Sequence, residues 1–150
     1  MPYVISGNSW RAVAEDFDIA ALLAGESLVQ QITDEVLYEM AKAQYPARIS
    51  SSRYDAETAG ITINGMFIDT GRDSQALITG AALSAMIDPD YVCNWKTSDG
   101  FVQLDAQSLI GIAQAIRAHV QACFDREAVL LTALENGSFV EDMLNGGWPA

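Results

Sequence analysis

Val92-Cys93-Asn94-Trp95-Lys96-Thr97-Ser98-Asp99-Gly100-Phe101-Val102-Gln103-Leu104-Asp105 holds two β-prone runs on either side of an Asp-Gly pair. Glycine tolerates the positive φ of tight hairpin turns, so this wording predicts a β-hairpin. Asp105 closes the second run and has the side chain of a helix N-cap. Behind it Leu109, Ile112, Ala113, Ile116, Val120, Cys123, Phe124, Leu131 and Leu134 recur at helical spacing as one apolar stripe. The stretch therefore reads as a hairpin feeding the longest helix of the chain, with Asn136-Gly137 as its C-cap signal.

Working outward, Asn64-Gly65 is the preferred two-residue type I′ turn and joins Ile61-Thr62-Ile63 to Met66-Phe67-Ile68-Asp69-Thr70. Asp73 is expected to cap a helix running through Ala76, Leu77, Ala81, Leu83 and Met86, whose small residues permit close approach to a neighbour. Asp88-Pro89-Asp90 ends it. Residues 46–60 are polar, carry Ser50-Ser51-Ser52 and read as a linker or exposed segment. Arg48, Arg53 and Tyr54 on it would suit a ligand patch, but a solvated connection is the simpler reading.

Residues 1–44 form a first unit. Tyr3-Val4-Ile5 and Trp10-Arg11-Ala12-Val13 flank Ser6-Gly7-Asn8-Ser9 and read as a hairpin, with a helix from Ser9 to Ala24 as the competing reading. Ser27 to Ile32 is strand-like. Thr33 then caps a short helix with Asp34 and Glu35 in its first turn, which Tyr45-Pro46 ends. Near the C-terminus, Ser138 and Glu141 have capping-box spacing before a short helix from Phe139 to Leu144, and residues 145–150 read as a flexible tail. The architecture expected is α+β: a small antiparallel sheet of hairpins covered by helices, with one long C-terminal helix. The domain division expected is residues 1–44, a small β-hairpin and helix unit, and residues 45–150.

The 150 residues are 50% hydrophobic, with formal net charge -12 and eight Lys and Arg in all. A pI near 4.1 argues against a nucleic-acid partner, since phosphate neutralisation needs clustered basic groups. Acidity serves solubility first and could also complement a basic protein. The start Met1-Pro2-Tyr3 lacks a secretory signal, and no apolar run approaches the ~20 residues of a membrane span. A soluble protein of a cytoplasm, or of a particle built there, is expected, with no membrane partner. Cys93 and Cys123 have no zinc-type spacing and read as reduced core residues, a disulfide between them remaining open.

His119, the single histidine, lies beside the apolar stripe with no local nucleophile or metal-ligand pattern, so a surface or partly buried helix position explains it. Glu127 falls between Phe124 and Leu131 on the stripe, where an unpaired charge is expensive. An acid of raised pKa is one reading. A buried ion pair with Arg72, or with Arg53 or Arg48, is the favoured one. Asp69, Asp73, Asp88, Asp90 and Asp105 fall at turns or caps. Thr70-Gly71-Arg72-Asp73 precedes a helix but lacks Walker spacing. No catalytic residue, cofactor or metal ligand is assigned, and the chain does not read as an enzyme.

Gly60-Ile61-Thr62-Ile63-Asn64-Gly65, Thr70-Gly71-Arg72-Asp73-Ser74-Gln75, the Trp95 to Gly100 hairpin, Leu104-Asp105-Ala106-Gln107 and Ala118-His119-Val120-Gln121 follow one another in that order. The set, over residues 45–145, resembles an uncharacterised domain common in tailed-phage tail and tail-fibre gene neighbourhoods. The first unit, with Trp10-Arg11-Ala12-Val13 and Leu23-Ala24-Gly25-Glu26, is similar to the N-terminal parts of short phage tail-fibre assembly proteins. The resemblance implies a non-catalytic chaperone that binds the fibre protein in the host bacterial cytoplasm. A structural tail or baseplate component of the virion is the second reading, and a carboxylate-dependent hydrolase using Glu127 the third. Partner-binding candidates are the hairpins with Trp10, Trp95 and Phe101, and the tail around Trp148.

Overall fold

A computed structural model describes residues 1–150. The fold is α+β, with its antiparallel strands divided among three small sheets. β1 (Tyr3–Ser6), β2 (Ser9–Ala12) and β3 (Glu26–Val29) form the first, in the order β2-β1-β3. α1 (Asp34–Glu57) follows, then the hairpin of β4 (Ile61–Ile63) and β5 (Met66–Ile68), then α2 (Arg72–Ile87). The hairpin of β6 (Val92–Thr97) and β7 (Gly100–Asp105) runs directly into α3 (Ala106–Asn136). Short 3₁₀ turns occupy Ile19–Ala21 and Glu141–Asn145. No helix is long and apolar enough to cross a membrane.

Local chemistry accounts for most of these boundaries. Asn64 and Gly65 both have positive φ, 51° and 80°, as a type I′ turn requires. Asp105 caps α3 by accepting from the Ser108 N–H at 2.8 Å, and Gly137 ends it in the left-handed region at φ 79°. Thr33 accepts from the Val36 N–H and caps α1. The β6–β7 turn differs from the expected Asp-Gly centre. Ser98 and Asp99 link the strands with negative φ, while Gly100 at φ 118° opens β7 opposite Thr97. The Thr97 hydroxyl holds this turn, accepting from the Asp99 N–H and donating to the Gly100 carbonyl.

Four expectations are corrected. α1 does not end at Tyr45-Pro46 but continues to Glu57, so residues 46–57 are helix and no linker divides residues 44 and 45. Pro46 is an exposed residue of α1, where its ring meets no buried neighbour and it has no N–H to give to the turn before it. Asp73 lies in the first turn of α2 and does not cap it. Gly71 is the N-cap, and Asp69 accepts from the Gly71 N–H and the Ser74 hydroxyl instead. Ser138 and Glu141 form no capping box, because both Ser138 donors turn to the Asn136 side chain. Residues 145–150 are docked: the Trp148 indole donates to the Leu144 carbonyl at 2.9 Å, and Arg126 donates to the carbonyls of Met143 and Gly146.

α3 is the axis of the molecule. Its first half, with α2 and the inner faces of both short hairpins, encloses the larger apolar cluster, including Ile61, Ile68, Ile78, Leu104, Leu109 and Ile116. Its second half packs against α1 and the C-terminal turn, where Ile49, Leu130 and Leu144 are buried under Tyr45, Phe139 and Trp148. Neither cluster includes a residue before Tyr45. The first sheet is held by its own ladders and by Arg11 on Glu26.

Candidate functional site

The continuation of α1 past Pro46 carries Ser50, Arg53 and Glu57 along the side that meets α3. The Arg53 guanidinium donates through Nε to Glu127 Oε2 at 3.1 Å and pairs with Glu57, while its plane lies 4.6 Å from the centre of the Phe124 ring. Ser50 donates to the other oxygen of Glu127 at 2.5 Å. From α2, Gln75 donates to Glu57 Oε1 at 3.1 Å and Arg72 reaches Oε2 at 3.4 Å. Glu127 thus forms an ion pair that is only part-buried, with Arg53 as its partner and not Arg72.

Glu57 is the residue that sequence reasoning missed. It is only 2% exposed, and it was hidden because residues 46–60 read as a polar connection. Burial alone would push its carboxyl upward. The hydrogen bond from Gln75 and the charges of Arg72 and Arg53 outweigh burial and hold it below the usual 4.5. Thr70, fully buried, donates to the Glu57 carbonyl at 2.6 Å and accepts from the Gly60 N–H at 2.9 Å. The cluster therefore ties α1, α2, α3 and the start of β4 at one junction, with its carboxylates engaged by donors from within the chain.

His119 is buried, deeper than the surface or partly buried position expected. Its Nε2 donates to the Ala56 carbonyl at 3.0 Å and lies 3.8 Å from the Cys123 Sγ, and its Nδ1 has no protein partner. Burial, and then the charge of Glu57, push the Cys123 thiol up. Cys93 is half-buried and Cys123 buried, and both are free thiols. No group of three or more His, Cys, Asp or Glu is placed to hold a metal ion.

The four aromatic candidates occupy separate places. Trp10 stands edge-on to Tyr3 in the first sheet, ring centres 5.5 Å apart. Trp95 packs against the larger apolar cluster, and Trp148 closes the smaller one. Phe101 projects furthest, 72% exposed, and Trp10 is 54% exposed. Alternation along the β6–β7 ribbon explains the difference: Cys93, Trp95, Val102 and Leu104 face the core, while Asn94, Lys96, Phe101 and Gln103 face solvent. Because β6 and β7 pair only with each other, both outer edges of the ribbon keep unpaired backbone groups.

Four surface depressions adjoin these elements, one of them beside Glu57, Arg72 and Gln75, and two border the hairpins and the α2–α3 pair most closely. One of about 360 Å³ lies between the two short hairpins, with Phe67, Asp69, Trp95 and Lys96 in its walls. Asp69 is held below its usual 3.8 by the Ser74 hydroxyl and the Gly71 N–H. The other, about 740 Å³, is a largely apolar groove between α2 and α3, lined by Ala82, Leu83, Met86, Ala113, Arg117 and Ala118 among others. The run of small residues in α2 was its only sequence signal.

From the middle of α1 to the C-terminal 3₁₀ turn, residues 40–144 match the family model described as a domain of unknown function, DUF4376. The chain belongs to the DUF4376 family. The DUF4376 span holds the charge cluster, both short hairpins and the α2–α3 groove, and leaves β1–β3 outside. No curated protein and no solved structure matches the chain.

Proposed function

We propose that this DUF4376 protein is a non-catalytic phage tail-fibre assembly protein, a chaperone that holds the fibre protein through the β6–β7 ribbon. The observation that carries this reading is the ribbon itself: six-residue strands anchored to the core by one face, both edges unpaired, with Phe101 exposed on the other face. Such an edge can add a strand to a partner through main-chain hydrogen bonds, with an aromatic side chain supplying the apolar contact. The partner class comes from the resemblance of the chain's motif order to phage tail-associated domains. Fibre proteins expose β-edges until they trimerise, so masking those edges is a physical task for a small helper. The net charge of -12 keeps helper and complex in solution. Engagement of the Glu57 and Glu127 carboxylates by Arg53, Ser50 and Gln75 supports a structural reading of that cluster.

Co-expression tests the proposal. The fibre protein made alone is expected in the insoluble fraction and in the soluble fraction when this chain is present. Phe101→Ser, on the solvent face, should weaken the rescue without altering the far-ultraviolet dichroism of the chain. Equal fibre solubility with and without the chain would overturn the proposal. Peptide mass spectrometry of mature particles should then find the chain absent, whereas a fixed ratio to tail proteins would make it a virion component.

A further inference from the structure

We propose that the depression between β5 and β6 is a docking slot for one extended segment of the fibre protein, bound as a strand between the two hairpins. The inference rests on the chaperone reading and names where the partner's backbone lies. The walls of the depression decide the place. β5 contributes Phe67, with Asp69 just beyond it, and β6 contributes Trp95, Lys96 and Thr97, whereas neither β4 nor β7 contributes a residue. The free edge of each hairpin therefore faces this gap, and Leu77 of α2 completes the wall.

The ladders fix which backbone groups are free. Ile63↔Met66 and Thr97↔Gly100 close the two turns as hydrogen-bonded pairs. The next pairs, Thr62↔Phe67 and Lys96↔Phe101, then turn their N–H and C=O groups outward, as does Asn94↔Gln103. Phe67 and Lys96, with free main-chain groups, both line the depression. No backbone hydrogen bond joins β5 to β6, and the two sheets stay separate. Yet both hairpins cover one apolar cluster, which includes Ile68 and has Trp95 packed against it. Two edges over one core, with a gap between them, make a sheet that lacks its central strand. An extended backbone is the ligand that pairs with both edges at once.

The length and chemistry of the occupant follow. β5 has three residues, so a segment of about three residues, ~10 Å long, pairs on both sides. A side chain of that segment facing α2 meets Leu77 and is aliphatic. Lys96 has no ion-pair partner in the chain, so a carboxylate beside it on the solvent side makes a favourable cross-strand pair.

Amide-resolved hydrogen exchange of the full chain, alone and in complex with the co-expressed fibre protein, tests the slot. The amides of Phe67, Asn94 and Lys96 should exchange at least about tenfold more slowly in the complex, while those of Thr62, Phe101 and Gln103 on the outer edges keep their rates. Lys96→Pro removes an outward N–H and leaves the β6–β7 ladder intact. It should weaken binding about three- to tenfold with unchanged dichroism. Thr62→Pro, on the far edge of β4, should leave binding unaltered. A complex that leaves Phe67 and Lys96 at their free rates would overturn the slot, whichever other edge it protects, and leave the chaperone reading standing. Absence of any complex would overturn both. Protection of Phe67 and Lys96 in the chain alone, rising with its concentration, would place a second copy in the slot and overturn the proposal as well.

Discussion

Glu57 ends α1 with its carboxylate among Arg53, Arg72 and Gln75, shielded from water. Glu57→Ala removes the shared acceptor of Arg53 and Gln75, but Arg53 keeps Glu127 and Arg72 is largely exposed, so the cost in denaturant unfolding should be about 1–3 kcal/mol. The pH dependence has a defined sign. A carboxyl held below its ordinary value stabilises the fold fully above that value and loses the contribution as pH falls through the folded one. For Glu57 the loss begins below 4.5, and for Asp69 below 3.8. Acid unfolding monitored by dichroism should therefore steepen below 4.5, and Glu57→Gln should flatten that limb while lowering stability at neutral pH. The Glu127 ion pair was legible as a need, since a carboxylate on an apolar stripe requires a partner. Which arginine answers it was not legible, because Arg53 and Arg72 are separated only by how α1 and α2 lie on α3.

At the scale of elements, hairpins and caps follow from neighbours in the chain, and α1 does not. Pro46 removes one helix hydrogen bond and disfavours helix in Tyr45, a local cost of about 3 kcal/mol. The helix passes through because Ile49 is fully buried against Leu130 and Arg53 is held by α3, contacts made across more than seventy residues. Pro46→Ala should then stabilise the protein by about 1–3 kcal/mol, read as a higher denaturant midpoint with an unchanged slope. A lower midpoint would mean that packing on α3 needs the proline. The Ser138 capping box fails for a local reason, since the Ser138 N–H and hydroxyl both meet the Asn136 side chain, and Trp148 and Arg126 then place the chain beyond it.

For the whole molecule, the division of the chain is set by which residues share a core. The side-chain hydrogen bonds and the ion pair of residues 1–32 stay among those residues, and both apolar clusters lie beyond them. Limited thermolysin digestion should first release a fragment ending between Val29 and Thr33, leaving residues from α1 onward folded. Cleavage at residues 44–46, where the expected boundary lay, should be slow because α1 is continuous there.

Period, turn chemistry and capping act over a few residues, and they were enough to specify the α+β class, the three hairpins, the extent of α3 and the acidity of the surface. Burial is a property of distant segments brought together. Tertiary structure alone therefore decided that residues 46–57 are helix, that Glu57 and His119 are interior, that Trp148 is docked, and that α2 and α3 leave a largely apolar groove open to solvent.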